Sequence, residues 1–251
     1  MPADRQSAPA SQESVRSLQV VPVGSQRARD TFIRLPWSIY RDDPNWVPPL
    51  LIERRQLLDP KNPYFKHAQF QSWLAYRDSR AVGRISAQID ELHLQRYEDA
   101  TGFFGMLEAE DDPDIFQALT GTAEDWLRQK GMHRILGPFN LSINQECGLL
   151  VDGFDTPPMV MMGHALRYYD SRIKEQGYTQ AKDLLAYIIP SDFKLTKAMQ
   201  SIIRKAEKQV KIRKLRKSEF KEDLNIIRDI FEDAWSHNWA FIPFTEEEFD
   251  H

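Results

Sequence analysis

Apolar and polar positions along this chain alternate in two periods, and the changes of period divide it into elements. Ser17–Val23 (SLQVVPV) is a short β-branched run closed by Gly24, which predicts a first strand. Gln26–Tyr40 has helical spacing, with Pro36 placed to kink it or end it early. Five prolines between Asp43 and Tyr64 predict a stiff connection around one short helix near Leu51–Leu58. Phe70–Tyr76 and Ala81–Ile89 read as strands joined by the polar turn Arg77-Asp78-Ser79-Arg80, a hairpin. After a short helical stretch, Gly102–Ala109 (GFFGMLEA) reads as a buried strand. Asp112-Pro113 then marks a helix start, with Asp at the N-cap and Pro at the first helical position. That helix carries Ile115, Leu119, Ala123, Trp126 and Leu127 on one face and stops at Gly131. His133–Leu136 is the next strand. A helix from His164 to Gln176 ending at Gly177, and a last strand over Asp183–Ile189, complete the unit. The order predicts an α/β domain over residues 17–190, a mixed central sheet flanked by helices.

The pattern changes beyond Pro190. Between Lys194 and Lys221 stand eleven Lys or Arg against Glu207 and Glu219, a local net charge of +9. Leu195, Met199, Ile202, Ile203, Ala206 and Val210 recur at helical spacing, so 191–209 reads as a basic amphipathic connecting helix. A solvated connector, an acidic partner for the basic helix 194–211, and nucleic acid or an anionic membrane surface all fit such a helix. The aromatic residues that a nucleic-acid platform interleaves are missing, which counts against nucleic acid. From Val210 the events of the first unit start again: a strand-like Val210–Leu215, a helix over Phe220–Trp235, then Asn238-Trp239-Ala240-Phe241-Ile242-Pro243 beside the earlier Asn45-Trp46-Val47-Pro48-Pro49. Thr245-Glu246-Glu247-Glu248 is a capping box that opens a helix with few residues left to fill it. Residues 210–251 are therefore expected to be the incomplete start of a second similar unit.

Composition narrows the class. The 251 residues are 41% hydrophobic and 28% charged, with six Trp, eight Tyr and fourteen Phe, which excludes a wholly disordered chain. No apolar stretch is long enough to span a membrane. A net charge of −4 gives no polyanion bias to the chain as a whole. A single cysteine, Cys147, favours a reducing compartment, and the first residues lack a signal or transit pattern, so a cytoplasmic location is expected. Residues 1–16, rich in Ser, Ala, Gln and Pro, are expected to be a disordered tail.

The hairpin FQSWLAYRDSRAVGRISAQID resembles the second and third strands of the GNAT superfamily of N-acetyltransferases. YYDSRIKEQGYTQAKDLLAYII resembles that fold's late helix, its Gly-aromatic turn (here Gly177-Tyr178) and the strand after it. With the element order, the likeness covers Ser17 to Ile189. It implies transfer of an acetyl or other acyl group from acetyl-CoA or another acyl-CoA to a small-molecule or peptide amine. The alternative is a non-catalytic GNAT-like module that binds a substrate or partner.

One position departs from the family pattern. GNAT enzymes hold the CoA pyrophosphate on the N–H groups of a Gly-rich loop before a helix, where the helix terminus favours anions. Here the loop reads Glu108-Ala109-Glu110-Asp111-Asp112-Pro113-Asp114, with no glycine between Gly105 and Gly121. Five carboxylates there would repel a pyrophosphate, so this unit is expected not to bind CoA in the usual way, and catalysis to depend on sequence beyond residue 251.

Candidate site residues gather in Asn140-Leu141-Ser142-Ile143-Asn144-Gln145-Glu146. If the run is extended, Asn140, Ser142, Asn144 and Glu146 share one face. They would then line a cleft and hydrogen-bond a ligand, with Glu146 as general base; the competing role is satisfying loop backbone groups. The family's usual acid is a Tyr about four residues before the Gly-aromatic turn. That place is Ile173, and the nearest tyrosines, Tyr168 and Tyr169, sit nine and eight residues before Gly177. A shifted role for either, with Tyr169 as the catalytic candidate, competes with a core role. The six histidines show no metal-ligand spacing, so no metal is expected. Cys147 reads as a small buried residue rather than a nucleophile, and Trp37, Trp46 and Trp73 as packing.

Overall fold

The computed structural model describes residues 17–211 and 213–251, so the tail expected over 1–16 lies outside the described residues. The chain forms two compact units, the first ending at Tyr178 and the second running from Thr179 to His251.

The first unit is built on one five-stranded sheet in the order β1-β2-β3-β4-β5. β1 (Leu18–Pro22), β2 (Ala68–Arg77), β3 (Arg80–Asp90) and β4 (Thr101–Ala109) pair antiparallel in succession. β5 (Arg134–Leu136) pairs parallel with β4. The β2–β3 turn closes through Asp78 and Ser79, whose φ values of 49° and 66° suit the left-handed residues of a two-residue hairpin.

Helices cover both faces of the sheet. Before β2 come α1 (Gln26–Arg34), α2 (Pro36–Ile39) and α3 (Leu51–Leu57). Pro36 breaks the expected helix in two by taking the first position of α2. α4 (Glu91–Tyr97) links β3 to β4, and α5 (Pro113–Gln129) crosses over from β4 to β5. On one face α5 buries Ile115, Phe116, Leu119, Ala123 and Leu127 against Trp73, Val82, Ile85 and Ala87. Each large side chain so buried contributes roughly 1.5–3 kcal/mol. On the other face Phe32, Leu35, Tyr64, Leu74, Met106 and Leu141 form a second cluster. Trp37 and Trp46 pack edge to face, whereas Trp73 packs on Trp126, so the three expected packing tryptophans divide between two places.

Two readings of the late segment change. The helix expected from His164 starts only at Tyr169, as α6 (Tyr169–Glu175), because residues 163–166 are irregular, with Gly163, His164 and Ala165 lining the cavity described below, and 167–168 form a turn. It ends as expected, with Gly177 at φ +88°. Asp183–Ile189 forms no strand, and its apolar side chains are exposed. An apolar run becomes a strand only where an edge accepts its N–H and C=O groups, and no described strand pairs with it.

The second unit holds α7 (Lys197–Ala206), α8 (Phe220–Trp235) and α9 (Glu246–Asp250). The strand read at Val210–Leu215 is absent among the described residues. Arg213 there turns back to the buried Asp223 of α8, its Nη1 and Nη2 each 2.6 Å from the carboxylate, and the Arg216 N–H joins them at 2.8 Å. The two guanidiniums and that N–H hold the Asp223 carboxyl far below its ordinary range. The capping box read at Thr245 forms, with Thr245 and Glu248 bonding each other's backbone N–H.

Candidate functional site

β4 and β5 pair only from Thr101 to Phe103 against Arg134 to Leu136, yet β4 continues to Ala109. The chain leaving β5 first stays against β4. Phe139 donates its N–H to the Phe104 carbonyl at 2.8 Å. A Cβ on Gly105 would lie 1.7 Å from the Phe139 oxygen, so only glycine permits this approach. Buried Gln88 pins the same segment through its Nε2, which donates to the carbonyls of Phe139 and Leu141 at 2.7 and 3.1 Å. β4 then bulges at Met106, whose φ is +48°. The Met106 N–H freed from the ladder donates to Asn140 Oδ1 at 2.8 Å. Beyond this point β4 and the departing chain separate.

The wedge so opened holds a cavity of about 120 Å³. Glu108 of β4, Arg84 of β3, Arg54 of α3, Tyr169 of α6, His164, Asn140 and Glu146 supply its polar wall. Trp46, Val47, Pro49, Leu57, Leu58 and Met162 supply much of its apolar wall.

Glu108 is the centre of the polar wall. The Tyr40 and Tyr169 hydroxyls both donate to its Oε2, at 2.6 and 2.8 Å. Arg84, its register partner across β3–β4, places Nη2 3.7 Å from Oε1. Burial pushes the Glu108 carboxyl above its ordinary pKa, with Arg84 and the two hydroxyls pulling the other way. Burial and the neighbouring Glu108 charge also push both tyrosines up, so their protons stay on. Burial lowers Arg84, with Glu108 opposing. Arg84 is held further by a 2.6 Å bond from Nη1 to the Phe32 carbonyl.

Asp43 and His164 form a second pair, with Nε2 2.8 Å from Asp43 Oδ2. Burial would raise the Asp43 carboxyl, but hydrogen bonds from His164 and from the Asn45 N–H leave it below its ordinary value. The His164 side chain is 5% exposed, and its Nδ1 has no hydrogen-bond partner in the protein. With Nε2–H committed to Asp43, a neutral ring carries its lone pair at Nδ1. A proline-rich strap, residues 44–50, passes over the cavity with Trp46, Val47 and Pro49 in its wall and leads into α3, whose Arg54 pairs with Glu146.

The run Asn140–Glu146 is not extended. It folds into a turn closed by the Phe139–Cys147 bridge, with the Asn140 N–H donating to the Glu146 carbonyl at 2.8 Å. The alternation of faces is therefore lost. Asn140 and Glu146 line the cavity, joined by a 3.0 Å bond from Asn140 Nδ2 to Glu146 Oε2. Ser142 is buried in the turn, its Oγ donating to Gln145 Oε1 and accepting from the Asn144 N–H. Ser142 and Asn144 do not line the cavity. Tyr169 does, through a hydroxyl that also accepts from the Ala109 N–H at 3.0 Å. Cys147 is half-buried, and burial raises its thiol pKa.

The residues absent from the sequence-based site are Tyr40, Asp43, Arg84, Glu108 and His164. Asp43 and His164 stand 121 positions apart, and no spacing rule joins them. Glu108 carried a signal, a lone acid in the apolar run GFFGMLEA.

The start of α5 does not fit a CoA pyrophosphate. Asp112 fills the cap position and accepts the Asp114 N–H at 2.9 Å, and Pro113 has no N–H to offer. The neighbouring acids are paired too, Asp112 with Arg77, Glu110 with Arg80, and Asp111 with Arg172.

One antiparallel sheet ending in a parallel β4–β5 pair, a crossover helix between those strands and a cavity where they part define a GNAT-like α/β fold. No family model matches the chain. It is 48% identical over 219 residues to Protein YghO of Escherichia coli, covering 87% of this chain and 56% of that protein. It is 47% identical over 234 residues to the bacterial ceramide synthase of Caulobacter vibrioides, covering 92% of this chain and 61% of that protein. The chain thus spans little more than half the length of these curated relatives. Among solved structures, it superposes with a TM-score of 0.42 and 13% identity on the aminoglycoside acetyltransferase meta-AAC0020 from an uncultured soil sample, over 69% of this chain and 95% of that one. A GNAT-family acetyltransferase of Staphylococcus aureus superposes with a TM-score of 0.37 and 15% identity, over 49% of this chain and 74% of that one. Among the described residues no helix is long and apolar enough to cross a membrane.

Proposed function

We propose that this chain supplies the amine-binding unit of an N-acyltransferase that joins the acyl group of an acyl-CoA to the amine of a long-chain amino alcohol. The observation that carries the reading is the Glu108 carboxylate in the cavity wall, kept in place by the Tyr40 and Tyr169 hydroxyls. With Arg84 3.7 Å from Oε1 and the two hydroxyls on Oε2, the Glu108 carboxylate keeps lone pairs with which to accept from an ammonium group in the cavity. The apolar side of the cavity, Val47, Leu57, Leu58 and Met162, suits the alkyl part of the same molecule. The relative named as a ceramide synthase supports the choice of amine, because a ceramide is the amide of a long-chain amino alcohol.

An ammonium group is not a nucleophile and must lose a proton before it attacks a thioester. His164 is suited to take that proton at Nδ1, leaving an imidazolium beside the Asp43 carboxylate. The freed amine forms the C–N bond, the C–S bond breaks, and the CoA thiolate leaves with the second proton that the nitrogen gives up. Glu146, the base read from the sequence, shares its charge with Arg54 and Asn140 and acts as the second carboxylate of the cavity. Tyr169 is a positioning residue, its hydroxyl donating a hydrogen bond to Glu108. Acyl-CoA takes its pyrophosphate seat away from the start of α5, where the acids and Pro113 leave none.

The test is amide formation from an acyl-CoA and a long-chain amino alcohol by the complete polypeptide as the cell makes it, followed by mass spectrometry. Glu108→Gln is expected to lower kcat/KM about 100-fold or more with the fold retained. No amide from any long-chain amine overturns the reading. The occupied start of α5 also favours a second reading, a binding module, for which the amine binds and no amide forms.

A further inference from the structure

We propose that α7 is an interfacial helix that seats its apolar face in an anionic lipid surface. α7 runs from Lys197 to Ala206 and has no buried residue. Met199, Ile202 and Ile203 are 40%, 66% and 40% exposed, with Leu195 at 40% just before them. At about 100° per residue these four and Ala206 fall on one side of the helix. Lys197, Arg204 and Lys208 fall on the other, and Lys205 borders the apolar arc.

Two physical points follow. A helix of ten residues is marginal in water by itself. The Thr196 cap, which accepts the Met199 N–H at 3.3 Å, satisfies one end but buries nothing. An apolar surface is what such a helix needs, and charge selects which one. All of Lys194, Lys197, Arg204, Lys205, Lys208, Lys211, Lys214 and Lys217 are exposed, and Glu207 is the one acid among residues 194–217. Arg213 and Arg216 are both held by Asp223. Basic residues along an amphipathic helix and directly after it match the headgroups of anionic lipids. Nucleic acid would pair with the cations and leave Ile202 and Ile203 in water. A lysine at the border of the arc lays its alkyl stem along the lipid while its ammonium stays at headgroup level.

The inference is independent of the acyl-transfer reading. The complete polypeptide is floated with vesicles of phosphatidylcholine and with vesicles containing phosphatidylglycerol. Binding to the anionic vesicles is expected to be about tenfold or more tighter and to weaken as salt rises. The double variant Ile202→Asp/Ile203→Asp is expected to lose flotation at an unchanged Tm, and Lys197→Gln/Lys205→Gln/Lys208→Gln to lose the preference for anionic lipid. Equal binding to neutral vesicles, no flotation, or flotation unchanged in the Ile variant overturns the proposal. So does a self-association that the Ile variant abolishes, or tighter binding to DNA or to an acidic polypeptide than to the vesicles. Glu108→Gln protein should float like the parent, so a failed acyltransferase assay and a failed flotation are separate results.

Discussion

The hydroxyl of Tyr40 meets the carboxylate of Glu108 at 2.6 Å, across 68 positions of sequence. One residue follows a short helix before the proline-rich strap and the other lies near the end of β4, so the bond ties the cover of the cavity to its wall. Tyr40 also stacks on Trp46 of the strap with ring centroids 5.2 Å apart. The Glu108 wall of the cavity and the segment that carries Trp46 over it therefore form together.

Glu108 makes stability depend on pH in a stated direction. Its folded pKa is raised above the ordinary 4.5 by burial. Over the window from 4.5 up to the raised value, the folded protein keeps a proton that the unfolded chain has released. The stabilisation from this group is full below that window and is lost as pH rises through it. Glu108→Gln removes the titration, so its Tm relative to the parent should improve as pH rises. Thermal scans across the window check this, and a constant difference at every pH refutes it.

His164 and Asp43 should act as a unit. In the proposed reaction, Asp43→Asn leaves His164 Nε2 without its carboxylate and is expected to lower kcat about 100-fold with a small change in KM. His164→Ala should cost a similar factor, and the double variant little more than either alone. Steady-state kinetics of the three proteins decide it. Additive losses would separate the two residues.

Gly105→Ala places a methyl group where the Phe139 carbonyl lies. Backbone must move, and the expected cost is about 3 kcal/mol or more. Denaturant melts measure the loss, and it should far exceed that of Gly121→Ala, where a Cβ meets nothing within 4 Å.

Much of the fold was legible because local rules governed it. The β2–β3 hairpin follows from alternation around a polar turn, α5 from Asp112-Pro113 at one end and Gly131 at the other, and α8 from its apolar spacing. Where a segment's conformation depends on distant partners, the same rules misread it. Asn140–Glu146 alternates like a strand but folds as a turn, since Gln88, Tyr64 and Met106 bond its first residues. Val210–Leu215 looks β-branched, yet Arg213 is drawn to Asp223 instead.

The site was less legible for the same reason. Asn140, Glu146 and Tyr169 were read from sequence and line the cavity, whereas Ser142 and Asn144 are turned into the loop. Glu108 was read as one of the acids that repel phosphate, and only packing shows it as a carboxylate held between two tyrosines.

The sequence by itself determined the order of strands and helices from β1 to β5, the carboxylate-rich start of α5 and the basic face of α7, because period, caps and charge are properties of neighbours along the chain. Tertiary structure alone decided where β4 leaves its partner, and so that Arg84, Glu108 and His164 line one cavity, with Tyr40 bonded to Glu108 and Asp43 to His164. These residues are brought together by the sheet and by burial, forces that act between positions with no local relation.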